Sequence, residues 1–263
     1  MNILVGNDDG IQSSGLDMLA RAAQRWGDVT VVAPEKQQSA RAKSMTFHKP
    51  LRVSKTHTAS GIPGYACNAS PADCLFIYQH FKGTPDVVLS GINGGDNTSI
   101  HSVLTSGTVA VAMEAGLQNI PALAFSMDVP EHLFFARDFA GDLERAADLC
   151  IRIAQAFYQA SRDFWSHVTF VNVNFPDHIQ ATTRLTITEL ETYKYTNYLV
   201  ERTDPRGETY YWLWGNKRTD LHHQRDSYHV YTEKNITITP VSFTSGRNVF
   251  AEAQTLISTI AVC

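Results

Sequence analysis

The sequence predicts an α/β fold, a doubly wound and mostly parallel sheet with a C-terminal β-hairpin arm. Three observations predict it. Short apolar runs at 3–5, 29–33 and 87–89 read as strands buried on both faces, as in parallel sheets. Patterns of helical period stand between these runs, which gives the β-α-β rhythm of a doubly wound sheet. From about residue 180 the rhythm changes to Thr- and Tyr-rich segments with turn signals.

The elements follow in order. Ile3, Leu4 and Val5 make the first strand, and a polar turn from Gly6 to Gly10 follows it. Leu16, Leu19, Ala20 and Ala23 recur at helical spacing, with Ser13 or Ser14 as cap and Gly27 as the expected end. The run 29–33, stopped by Pro34, closes the first β-α-β unit. Residues 73–81 read as a helix with Pro71 near its start, and 87–89 as a strand. A glycine-rich loop, SGINGGDN, is expected at 90–97, then a small-residue helix from Ser106, Gly107 and Thr108 to about Leu117. A strand at 122–125, a long helix at 137–160 and a strand at 168–174 complete the core. In the 180–235 region the turn Asp204-Pro205-Arg206-Gly207 and the aromatic run 209–213 predict a projecting hairpin. An isolated hairpin is marginal in water, so the arm is expected to join subunits. Residues 236–240 read as a returning strand and 245–258 as a last helix. The chain is therefore expected to be one domain over 1–263: a core (1–178), a hairpin extension (179–235) and a closing strand and helix (236–263).

Composition narrows the function. The chain has 263 residues, 43% hydrophobic and 18% charged, which suits one elaborated domain with a sizeable core. A net charge of −4 argues against a general nucleic-acid binder. A small anionic substrate would then need a local cation. Cys67, Cys74, Cys150 and Cys263 lack zinc-type spacing and read as free thiols in a reducing cytosol. The N-terminal MNILVGNDDG has neither a basic n-region nor a long apolar stretch, and no run approaches a membrane span. The expectation is a cytoplasmic protein with no membrane partner.

In open α/β sheets ligands bind beyond the carboxyl ends of the strands. Asp8 and Asp9 stand just beyond the first strand, where two neighbouring negative charges are costly unless a cation joins them. With Ser39 and Asn93 they form a hard-oxygen set suited to Mg²⁺, Mn²⁺ or Ca²⁺. A second reading stays open at this point: the pair caps the next helix or forms an Asx turn. The glycines at 91, 94, 95 and 107 permit close backbone approach, and the helix entered at Ser106, Gly107 and Thr108 offers N–H groups to a phosphate. A glycine-rich turn with a closely packed helix is the plainer reading of the same residues. GxGxxG and the P-loop lysine are both missing. Lys43, with Arg41, offers a mobile positive charge or is an ordinary solvated side chain. His48 and His101 read as structural rather than as acids. Together the parts suit metal-assisted phosphoester hydrolysis.

The chain also resembles the SurE (survival protein E) family of 5'/3'-nucleotidases. The likeness runs in order through ILVGNDDGI (3–11), VVAPEKQQSA (31–40), SMTFHKPL (44–51), SPADC (70–74), LSGINGGDN (89–97), SGTVAVAMEAG (106–116), DPRGETYYWLWG (204–215) and ITITP (236–240). It implies a Rossmann-like three-layer core with a C-terminal arm exchanged in homodimers or homotetramers. It implies a hydrolase of nucleoside monophosphates, with 3'-nucleotides and short polyphosphate as further substrates, and one divalent cation per subunit, Mg²⁺ or Mn²⁺. The family's ligands fall on Asp8, Asp9, Ser39 and Asn93. Its second loop asparagine falls on Asn97, and its Ser-Gly-Thr phosphate loop on Ser106, Gly107 and Thr108. Departures are Ala69-Ser70-Pro71 for Gly-Thr-Pro, Lys43 for a small, polar or His residue, and Asn235 for a glycine, a position where Asn also tolerates a left-handed backbone. The segment 98–105 lacks the usual glycine and acidic residue and carries one extra residue. The alternative kept beside the enzyme is a non-catalytic nucleotide or metal sensor on the same fold.

Overall fold

The computed structural model describes residues 1–130, 142–243, 250–258 and 260. Its main sheet begins with β1 (Asn2–Gly6), β2 (Asp28–Pro34), β3 (Val53–His57) and β4 (Pro63–Cys67). It continues with β5 (Val87–Gly94), β6 (Ala122–Met127), β7 (Phe170–Phe175), β8 (Leu185–Ile187) and β11 (Ile236–Val241). The strand order is β3-β4-β2-β1-β5-β6-β7-β11-β8. From β4 to β7 every pairing is parallel, while β3 and β11 join antiparallel to β4 and β7. The sheet is thus mostly parallel, as the apolar runs require.

Helices cover both faces. On one, α1 (Ser14–Ala23) and α5 (Leu143–Tyr158) pack on Ile3, Val5, Val31, Leu89 and Phe125. On the other, α2 (Asp73–Lys82) and α4 (Gly107–Leu117) pack on Leu4, Val32, Val88 and Ala124. Alternate residues of the runs 3–5, 31–33 and 87–89 therefore feed two separate apolar layers, which is why these runs carry no polar side chain. The apolar stripe of α1 runs through Leu16, Leu19, Ala20 and Ala23, all buried. Its expected end shifts: the helix stops at Ala23 with Gln24 as C-cap, and Gly27 lies one turn beyond. Ser13 is the N-cap residue by backbone, but its hydroxyl accepts from Asn7 Nδ2 at 2.7 Å rather than from the helix.

Other expectations move at their edges. The loop expected at 90–97 is strand as far as Gly94, with an irregularity between Ser90 and Asn93. The altered segment at 98–105 contains a helix, α3 (Ile100–Thr105), capped by Ser99, whose hydroxyl accepts from Ser102 N. The long helix begins at Leu143, since Asp142 precedes it in a non-helical conformation; 137–141 lie outside the described residues. A further short helix, α6 (Arg162–His167), precedes β7. The last helix, α8, is Phe250–Ile257, and 245–249 lie outside the described residues.

Within 179–235 the hairpin proper is β9 (Tyr195–Thr203) and β10 (Thr209–Lys217), paired antiparallel over all nine positions. The rest of that segment supports the sheet edge: β8 pairs with β11, and α7 (Asp226–Tyr231) packs on β11 and β7. The left-handed residue before β11 is Lys234 (φ 54°), not Asn235, whose Oδ1 instead accepts from Arg184 N at 3.0 Å. Cys67, Cys74 and Cys150 are buried free thiols, and Cys263 lies outside the described residues. Among the described residues no helix is long and apolar enough to cross a membrane.

Candidate active site

The carboxyl ends of β1, β2 and β5 meet the N-terminus of α4, as the parallel topology dictates. A cleft of about 200 Å³ opens there, and Asp8, Ser39, Asn93, Asn97 and Ser106 all line it. Five of the nine residues singled out from sequence thus share one cavity.

Asp8 is buried under the start of α4. Its Oδ1 accepts the Thr108 hydroxyl, and the Gly107 and Thr108 N–H groups also donate to its carboxylate. The helix therefore turns its first donors onto Asp8, which stands where an anion at a helix N-terminus belongs. Gly107 makes this approach possible, since a Cβ there would lie 2.6 Å from Asp8 Cβ and 2.8 Å from its Oδ2. Ser106 caps the helix, its hydroxyl accepting from Val109 N at 3.1 Å, and also faces the cleft.

Asp9 stands beside the cleft, partly buried, and its Oδ1 accepts from Gln37 Nε2 at 3.2 Å. The preceding turn is held by Asn7, whose Oδ1 accepts from Gly10 N at 3.2 Å, with Gly10 at φ 103°. The side-chain bond that holds this turn is therefore made by Asn7, three residues before Gly10, and not by Asp8 or Asp9. The loop after β2 is fixed to the pair, because Gln38 N donates to Asp8 O at 2.7 Å. Burial pushes the Asp8 carboxyl up, against the opposing hydrogen bonds from Thr108 and Gly107. Burial and the neighbouring Asp8 charge push Asp9 up to about 8.

A raised carboxyl pair beside a serine hydroxyl and an asparagine amide is the donor chemistry of a hard divalent cation. Two carboxylates that disfavour their own charge gain most from such an ion. Among the described residues no cluster of three or more His, Cys, Asp or Glu forms an alternative metal site. Asn93 Nδ2 donates to Gly95 O at 2.5 Å, which leaves its amide oxygen as the side-chain atom of ligand type.

The remaining expected residues fall as follows. Asn97 is buried, and its Nδ2 donates to Ser126 Oγ at 2.7 Å. Lys43 is directed to α4, with Nζ 2.5 Å from Glu114 Oε2. Its loop reaches the cleft through Ala42 N, which donates to Thr105 O at 2.9 Å. His48 is exposed, and His101 packs against Tyr193 with the rings tilted at 50° and their centroids 4.3 Å apart; neither lines the cleft.

The sequence reading missed the far wall, formed by Asp96, Lys194 and Tyr195. Lys194 is buried, and its Nζ pairs with Asp96 Oδ1 at 2.5 Å. Tyr231 donates its hydroxyl to Asp96 Oδ2 at 2.8 Å. Burial opposes the Asp96 charge, but Lys194 and then Lys217 overcome it and hold the carboxyl below the usual range. Lys217, at the other root of the hairpin, pairs with Asp128 at 2.9 Å. No local pattern announces Lys194, a lone lysine in a Tyr- and Thr-rich stretch.

The family model described as "Survival protein SurE" matches residues 3–197. The chain belongs to the SurE family.

Relatives of this SurE-family chain carry the name 5'-nucleotidase SurE. One, from Hyperthermus butylicus, is 37% identical over 246 residues, covering 91% of this chain and 84% of the relative. Another, 5'-nucleotidase SurE 1 from Thermus thermophilus, is 38% identical and covers 96% of each chain. The crystal structure of the SurE protein from Aquifex aeolicus superposes with a TM-score of 0.76 at 26% identity, over 98% of this chain and 99% of that one.

Proposed function

We propose that this SurE-family chain is a divalent-metal-dependent 5'-nucleotidase, which hydrolyses nucleoside monophosphates to nucleoside and phosphate. Its further substrates are 3'-nucleotides and short polyphosphate. The observation that carries the reading is the buried Asp8 carboxylate seated on the N-terminus of α4, with Asp9, Ser39 and Asn93 at the same strand ends. The nucleotidase names of relatives that span nearly the whole chain support it.

In this reading Asp8, Asp9, Ser39 and Asn93 hold one cation per subunit, Mg²⁺ or Mn²⁺. When bound, the ion supplies positive charge to the phosphoryl oxygens and acidifies water at the site. The chain's own part is orientation and charge placement. Thr108 and Gly107 hold Asp8, and Gln37 holds Asp9, so neither carboxylate must reorganise when substrate arrives. In the same reading Asn97 and Ser106, which line the cleft, bind the phosphate. The positive end of α4, at Ser106, Gly107 and Thr108, faces the same corner and favours negative charge there. Lys43 places its charge on Glu114, about two turns along α4 from that end.

The whole chain acts as one unit, with the core at 1–178, the extension at 179–235 and the closing strand and helix at 236–263. The extension carries Leu199, Trp212 and Leu213, each more than 60% exposed, on β9 and β10. Such a surface suits a homodimer or homotetramer joined through the arm. The free buried thiols accord with a cytoplasmic setting.

The test is a panel of nucleoside monophosphates crossed with Mg²⁺, Mn²⁺ and a chelator, read as phosphate release. Release that needs the metal is expected. Ligand binding without release in every combination would point to a sensor instead.

A further inference from the structure

The hydrogen bonds around Asn97 form an unusual closed set. The peptide unit joining Asp96 to Asn97 is held at both ends. Its carbonyl oxygen, on Asp96, accepts from Lys194 Nζ at 2.7 Å, and its N–H, on Asn97, donates to Asn174 Oδ1 at 2.7 Å. The next unit is held in the same way. The Asn97 carbonyl accepts from Asn172 Nδ2 at 3.0 Å, and Thr98 N donates to Asp96 Oδ1 at 3.1 Å. The Asn97 side chain then has its own bond to Ser126. Buried peptide groups must find partners, and here side chains from two distant segments, β7 and the residue before β9, supply three of the four, while Asp96 itself supplies the fourth.

Lys194 is the only charged donor in this set, and it is 2% exposed. It bonds both the carbonyl oxygen and the carboxylate of Asp96. The same carboxylate fixes Thr98, through its N–H and its hydroxyl, and Tyr231, through its hydroxyl. One cation therefore governs the direction of two consecutive peptide planes on either side of a cleft residue. Lys194 also immediately precedes β9, so the wall of the cleft and the root of the hairpin are fixed at one atom.

We infer that Lys194 is a positioning residue: by clamping Asp96 it presets the orientation of Asn97 in the cleft and ties that orientation to the seating of the hairpin. The choice of substrate for its test rests on the nucleotidase reading; the inference about the peptide planes does not. Charge-assisted bonds of this kind are about twice as strong as neutral ones, and removing Lys194 takes from a buried carboxylate the one cation bonded to it.

The test uses the full chain with Lys194→Met, Asn97→Ala and the double variant. Two measurements are made, hydrogen exchange of the 94–98 amides without metal or substrate, and steady-state hydrolysis of a nucleoside monophosphate with metal. In Lys194→Met the Asn97 and Thr98 amides should exchange about tenfold faster or more, while amides of α1 and α5 keep their protection. KM should rise about tenfold, and the double variant should be no worse than Asn97→Ala alone. Lys194→Gln, which keeps a donor, should fall between wild type and Lys194→Met, and it gives the same reading if the methionine variant does not fold. Unchanged exchange at 94–98, or losses from Lys194 and Asn97 that add, would overturn the inference. If the wild-type protein releases no phosphate from any nucleotide, the nucleotidase reading fails, and hydrogen exchange alone decides whether Lys194 positions Asn97.

Discussion

Gly107 lays its bare Cα against Asp8, so close that an added methyl would meet the aspartate Cβ at 2.6 Å. The two are brought together by β1 and the start of α4, and Thr108 completes the contact by giving its hydroxyl to the same carboxylate. A side chain at 107 must displace Asp8, Pro71 or the helix start. Gly107→Ala is therefore expected to lower nucleotidase kcat/KM by about a hundredfold, the cost of a misplacement near 1 Å at a reacting centre. A circular dichroism spectrum like that of wild type should accompany the loss. Near-normal turnover in this variant would show that Asp8 is not held for catalysis.

Asp9→Asn removes a carboxylate whose pKa is raised by burial and by Asp8. In the metal-free protein the change relieves repulsion, so the melting temperature should hold or rise. Metal-dependent phosphate release should fall at least about a hundredfold, since loss of supporting residues alone costs up to that much at metal sites. The Mn²⁺-induced rise in melting temperature should shrink in parallel. Wild-type turnover in Asp9→Asn would remove Asp9 from the site.

Asp226 predicts a pH effect on stability. Its carboxylate accepts from Ser99 N at 2.9 Å, Glu191 N at 2.8 Å and Ser227 N at 2.7 Å, yet burial outweighs these bonds and raises its pKa from 3.8 to about 6. A carboxyl raised in the folded state binds its proton more tightly there than when unfolded. Its contribution to stability is thus full below about pH 4 and is lost as pH rises to about 6, by up to about 3 kcal/mol. Urea denaturation of wild type and Asp226→Asn at pH 4 and pH 7 isolates the effect. The stability difference between them should shift by that order against the wild type at the higher pH. A difference independent of pH would mean that Asp226 keeps the same pKa folded and unfolded.

Trp212 and Leu213 lie on the hairpin with 61% and 69% of their surface exposed. If the arm joins subunits, Trp212→Glu combined with Leu213→Glu should yield a smaller species by light scattering. The fold of the core should persist, because neither residue belongs to either buried cluster. An unchanged mass would place the contact elsewhere.

The parts legible in the sequence are those whose physics is local. The runs 3–5, 31–33 and 87–89 are buried on both faces, so each shows as unbroken apolar residues. β3 and β4 escaped because Val53–His57 lies at the sheet edge, largely exposed, while Pro63–Cys67 carries Pro and Gly. α3 escaped because six residues are too few to show a helical period. Asp8 and Asp9 were legible as an adjacent pair, and Ser106 as the start of a helix. Lys194 was not, since its partner Asp96 lies 98 positions away and only the fold brings them together. Lys43 was read as a free charge because its partner Glu114 sits on the far side of α3 in sequence.

The double hold on the peptides around Asn97 also sets an order of assembly. A nascent chain that has emerged only as far as Leu117 already contains Asp8, Asp9, Ser39, Asn93 and the start of α4. It lacks Asn172, Asn174, Lys194 and Tyr231, which fix the opposite wall. With synthesis proceeding from the N-terminus, the half of the cleft that carries the acidic pair is made first, and the half that orients Asn97 arrives last. A chain that stops short of α7 therefore lacks Tyr231, and one that stops before residue 194 also lacks the lysine that holds Asp96.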